Sequence, residues 1–109
     1  MFCFLEELGK TDLENGVVLK RLGSGSNLNA VHWDMNDGSV VPLHHHSQEQ
    51  FGYVIQGALQ IVLGEEKNLL KAGDSYFIPP GIPHEFLAVG QTEAIDVFSP
   101  LRSVHPDRK

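Results

Sequence analysis

The feature that most restricts the fold is periodicity. No stretch of twelve or more residues sustains a helical hydrophobic period. Apolar, aromatic and β-branched residues fall instead in short runs, separated by Gly, Pro, Asn and Asp. Strands are predicted over Val17 to Leu22, Asn29 to Met35, Val40 to His45, Phe51 to Gln56, Ala58 to Leu63, Asn68 to Lys71, Ser75 to Ile78, His84 to Val89 and Glu93 to Ser99. Gly57 is expected to separate two of them as a tight hairpin, and Gly64-Glu65-Glu66 to close the next. Lys71-Ala72-Gly73-Asp74 and Pro79-Pro80-Gly81 break the chain, because proline fixes φ and glycine permits positive φ. Strands that recur about every ten residues with turns between them indicate an all-β sandwich or barrel.

The length, 109 residues, suits one domain over 1–109. Within it, residues 1–12 read as an N-terminal arm, with Met1 to Leu8 forming a short helix or crossing to a partner subunit. Residues 103–109 read as a frayed tail. A domain this small gains from pairing with a second copy, so a homodimer is expected. Fourteen acidic against eight basic side chains give a formal charge of -6, the wrong sign for a nucleic-acid binder. No apolar run is long enough to span a bilayer, and no signal-peptide pattern opens the chain. The single cysteine, Cys3, asks for no oxidising compartment, so the cytoplasm is the default, and Cys3 itself is expected to be a small buried hydrophobe.

The sharpest chemical signal is Pro42-Leu43-His44-His45-His46-Ser47-Gln48-Glu49-Gln50. On a strand, His44 and His46 share a face about 7 Å apart along the backbone, and two such imidazoles can converge on one divalent cation. Gln50 follows a short connection and can bring an amide oxygen to the same place. His32 and His105 stand apart and read as surface or hydrogen-bonded core residues. Downstream lies Gly73-Asp74-Ser75-Tyr76-Phe77-Ile78-Pro79-Pro80-Gly81-Ile82-Pro83-His84.

The segment from Gly38 to Gly57 resembles the first motif of the cupin superfamily, Gly-x5-His-x-His-x3-Glu-x6-Gly. That from Gly73 to Ala88 resembles the second, Gly-x5-Pro-x-Gly-x2-His-x3-Asn. The departures are Gln50 for Glu and Ala88 for Asn. The resemblance implies a cupin jelly-roll barrel, often dimeric, with His44, His46, Gln50 and His84 as ligands of one divalent transition metal. Ni, Zn, Mn, Fe and Cu all remain open. Three neutral imidazoles and a neutral amide leave a dication uncompensated, which favours an anionic ligand. Alternation puts Gly52 and Val54 on the Gln50 face, where Gly52 either leaves room beside the metal or serves sheet packing.

Asp96, Phe98 and Arg102 lie in the closing segment Ile95-Asp96-Val97-Phe98-Ser99-Pro100-Leu101-Arg102, with Asp96 and Phe98 on one strand face. Asp-x-Phe-x-Pro-x-Arg resembles the end of small cupins that linearise unsaturated uronates in pectin and alginate breakdown. That resemblance implies Asp96 as general acid/base, Phe98 packed on the sugar and Arg102 paired with the substrate carboxylate, while from the residues alone Asp96 and Arg102 could equally form an ion pair holding the tail. A metal-dependent dioxygenase and a non-catalytic module binding a small sugar-like or anionic ligand are the alternatives. Trp33, Tyr53 and Tyr76 read as core or rim residues.

Overall fold

The computed structural model describes residues 2–103. A 3-10 turn over Leu5–Glu7 precedes eight strands: β1 (Lys10–Asp12), β2 (Val17–Ser24), β3 (Asn29–Met35), β4 (Val40–His44), β5 (Glu49–Leu63), β6 (Glu66–Lys71), β7 (Ser75–Ile78) and β8 (His84–Ser99). All pairings are antiparallel. The all-β barrel expected from the punctuated runs is what forms. Among the described residues, no helix is long and apolar enough to cross a membrane.

The expected hairpin at Gly57 does not form. The runs before and after it join into the continuous strand β5, and the runs flanking Gly90 likewise join into β8. Gly57 (φ +78°) and Gly90 (φ +80°) mark where these strands turn. The β5–β8 ladder loses register between Val54 and Ala58, the signature of bulges that bend a strand without ending it. Only glycine fits at position 57: a Cβ there would lie 2.3 Å from the Gln91 carbonyl oxygen. The bends divide the barrel into two walls. In one, β8 from Glu93 onward lies between β3 and the first part of β5; in the other, β8 up to Val89 lies between β4 and the second part of β5.

The arm departs from its reading in part. Lys10–Asp12 pairs with β2 as an added edge strand, while Phe2 and Phe4 are exposed. Cys3 is exposed too, because the segment before β1 lies outside the core. The tail expected over 103–109, and His105, fall outside the described residues apart from Ser103.

Alternation decides what fills the barrel. Val17 and Leu19, Val31 and Met35, Leu59 and Ile61, and the alternate residues of β8 from His84 to Ala88 and from Thr92 to Phe98 point inward. Each fully buried aliphatic side chain contributes about 1.5–3 kcal/mol. Ala88, which stands where the motif has Asn, joins this apolar core, while its backbone exchanges hydrogen bonds with Gly38 N and Ser39 O, both at 2.9 Å.

Candidate metal centre

Strand pairing assembles the histidines. β4 ends at His44 directly opposite His84, the first residue of β8, and Leu63 at the end of β5 flanks His84 on its other side. His46 lies just beyond β4, not on it, and its backbone oxygen accepts a 2.8 Å hydrogen bond from Gly81 N. The Pro79–Gly81 loop is thereby fastened to the histidine loop. Ring centroids of His84 lie 4.2 Å from His44 and 4.8 Å from His46. One ring nitrogen from each imidazole falls within 4.8 Å of the others, close enough to hold an ion between them. His45 points away and is exposed.

The unused edges of these rings are fixed by the backbone. His44 Nδ1 donates to Pro42 O at 2.8 Å, His84 Nδ1 to Ile82 O at 2.9 Å, and His46 Nδ1 to Gln48 O at 3.0 Å. A carbonyl only accepts, so each Nδ1 carries the proton and each Nε2 keeps its lone pair. His84 Nε2 is buried and has no hydrogen-bond partner. Burial is the main reason the three imidazoles resist protonation, with Arg102 and the neighbouring rings adding to it; His84 is held down to about 4. All three are therefore neutral at pH 7.

Gln50 is buried on β5, and its Oε1 lies 3.0 Å from His46 Nε2. Behind it is Asp96, 1% exposed, whose carboxylate accepts from Trp33 Nε1 at 2.6 Å and from Tyr76 OH at 2.6 Å and has the Gln50 amide beside it. Burial pushes the Asp96 carboxyl up to about 6 against the pull of these donors, and burial likewise pushes the Tyr76 phenol well above its usual value. Among the described residues no ion pair joins Asp96 to Arg102. The tail is held by amides: Asn29 Oδ1 accepts from Arg102 N at 2.7 Å, its Nδ2 donates to Arg102 O at 2.8 Å, and Gln48 donates to Leu101 O at 3.0 Å. The Arg102 guanidinium lies 5.8 Å from the centroid of the Phe98 ring, which is itself edge-on to His46.

The seven residues singled out in the sequence therefore gather at one end of the barrel, in two layers. Sequence reading missed the roles of Trp33, Tyr76 and Asn29. The signal for the first two was available, since a buried indole N–H and phenol O–H each need an acceptor. The space expected beside Gly52 is taken by Tyr76: a Cβ on Gly52 would stand 2.0 Å from Tyr76 Cζ. Tyr53 lies on the outer face.

Residues 31–98 match the family model of the cupin domain. The chain is a cupin. It is 30% identical over 100 residues to the pectin degradation protein KdgF of Dickeya dadantii, covering 90% of this cupin and 86% of that protein. The structure of KdgF from a Halomonas species superposes with a TM-score of 0.90 at 33% identity, covering 94% of this cupin and 96% of that chain. Oxalate decarboxylase OxdC of Bacillus subtilis is 27% identical over 78 residues, and the matched region spans only 20% of that protein.

Proposed function

We propose that this cupin is a metal-dependent enzyme acting on a small sugar acid, and that it opens 4,5-unsaturated uronates to linear keto acids. The observation that carries the reading is the convergence of three proton-free Nε2 atoms, one of them buried without a partner, beside a carboxamide oxygen and an arginine. That donor set fits a divalent transition metal, held by His44, His46 and His84 through Nε2 and by Gln50 through Oε1. When bound, such an ion supplies Lewis-acid chemistry and lowers the pKa of water.

The chain's own residues do the rest. With four neutral ligands and the Arg102 cation nearby, the site attracts an anion, as a uronate carboxylate is. Arg102 pairs with that carboxylate from a tail held in place by Asn29, and Phe98 packs on the sugar. Asp96 takes no part in direct proton transfer in this proposal, because its carboxylate is sealed behind Gln50. Similarity to the KdgF proteins along nearly the whole chain supports the substrate class. Adding water to the enol ether and opening the ring changes no overall oxidation state, so redox-inactive Zn²⁺ is sufficient.

The test is elemental analysis of purified protein followed by an ultraviolet assay with unsaturated galacturonate. Loss of the enol-ether absorbance with the Zn²⁺ form, abolished in His46→Ala, is the expected result. Metal-loaded protein that leaves the absorbance unchanged would refute the uronate reading, and oxygen uptake dependent on Fe or Cu would replace it with a dioxygenase. The homodimer belongs to the same proposal. Phe51, Tyr53 and Ile55 on β5 and Phe77 on β7 form an exposed apolar outer face that a second copy can cover, and light scattering at the monomer mass would remove it.

A further inference from the structure

Gln50 stands where the cupin motif carries Glu, and the structure contains a reason. His46 Nδ1 donates to a carbonyl, so its Nε2 has no proton to offer Gln50 Oε1 at 3.0 Å. Acceptor faces acceptor, a contact that turning the amide over would relieve. Turning it over, however, would aim the carbonyl at Asp96. That carboxylate already receives Trp33 N–H and Tyr76 O–H, and its third partner is the Gln50 amide. A carbonyl there would meet an anion, and a carboxylate at position 50 would do the same with a full charge. The NH₂ must therefore face Asp96, which leaves Oε1 facing the imidazoles.

The support for Asp96 is itself built in. Gly52 pairs with Asp96 on one side and Tyr76 on the other, and its missing Cβ lets the Tyr76 ring cross β5. Trp33 reaches the same carboxylate from β3. Three strands thus converge on an acceptor sealed within the barrel.

We propose that Asp96 is a positioning residue: it locks the Gln50 carboxamide with its oxygen toward the three imidazoles and dictates glutamine, not glutamate, as the fourth ligand. The proposal rests on the metal reading above, and its test separates the two. Zn²⁺ affinity is measured by chelator competition on the full chain for the native protein, Gln50→Glu, Asp96→Asn and the double variant. A carboxylate ligand would ordinarily tighten binding of a dication. Here Gln50→Glu alone is expected to bind no tighter than the native protein, because two carboxylates face each other. Gln50→Glu/Asp96→Asn is expected to bind about 10–100-fold tighter than Gln50→Glu alone, the range that outer partners of metal ligands command. Effects that simply add, with Gln50→Glu tightening binding whether or not Asp96 is present, would overturn it.

Melting curves show which variants fold. Should either carboxylate variant fail to fold, the native metal-free protein decides. The Gln50 side-chain NH₂ protons must then be protected from solvent exchange and must lose that protection in Tyr76→Phe or Trp33→Phe, which loosen Asp96. Unprotected amide protons would end the proposal. A native protein that shows amide protection but binds none of Ni, Zn, Mn, Fe and Cu would refute the metal reading while leaving the amide lock intact.

Discussion

His84 at the barrel mouth and His32 on the outer wall are both nearly sealed from water, and each has a ring nitrogen without a hydrogen bond. Their surroundings differ. His84 is anchored by its Nδ1 to a backbone carbonyl, so its bare Nε2 meets two other imidazoles presented the same way. His32 lies between carboxylates on opposite edges of its ring: Glu93 at 2.6 Å from Nε2 and Asp34 at 3.8 Å from Nδ1. In the first group lone pairs converge on one point; in the second they are spread around a clamp. Both groups bring one ligand atom from each residue within 4.8 Å of the others, but only in the first do three bare imidazole nitrogens face one another, whereas in the second the two carboxylates approach different nitrogens of one ring.

Four measurements sharpen or break this contrast. The largest effect is expected for His84→Ala, which should weaken Zn²⁺ binding by more than about 100-fold, beyond the loss of an outer partner; retained affinity would mean the mouth is no different from the wall. Next, Arg102→Ala should lower kcat/KM on unsaturated galacturonate by about 10–100-fold, the worth of a charge-assisted hydrogen bond, with Zn²⁺ affinity unchanged.

The third is the acid limb of stability in the metal-free protein. His84 has a folded pKa of about 4, below its usual 6.5, so the unfolded chain takes up protons first and stability falls as pH drops from 6.5 toward 4. His44 and His46 are lowered in the same direction. Asp96 opposes them: its folded pKa of about 6 lies above 3.8, so its contribution is lost as pH rises through 6. Three imidazoles outweigh one carboxylate, and the melting temperature should fall on acidification. A flat or rising profile from pH 6.5 to 4 would contradict the burial of the imidazoles. The smallest effect is His32→Ala, expected to cost about 1–2 kcal/mol in denaturant unfolding while leaving Zn²⁺ affinity untouched. A loss of metal binding there would erase the distinction.

Much of this was legible in the residues. Matched spacings picked out His44, His46, Gln50 and His84, which the structure brings together, and alternation put Asp96 and Phe98 on one strand face, which the structure turns inward. What could not be read was relational. Gly57 has the local look of a hairpin glycine, and only the close approach of Gln91 and Thr92, distant in sequence, shows that it bends a strand instead. Asp96 and Arg102 sit six positions apart and suggest a pair, yet the carboxylate faces the barrel axis while the arginine follows the tail held by Asn29. Gly52 looked like empty space because Tyr76, which fills it, arrives from another strand.

The bend at Gly90 has a consequence for how this chain tolerates change. β8 leaves the mouth at His84, runs down one wall, turns, and climbs the other to bring Phe98 back beside His46. An amino acid added anywhere along that path would flip the parity of everything after it, casting Asp96 and Phe98 outward in one stroke. Length variation must therefore gather in the short connections such as Gly64-Glu65 and Ala72-Gly73, and a scan of single-residue insertions should find β8 the least forgiving stretch of the molecule.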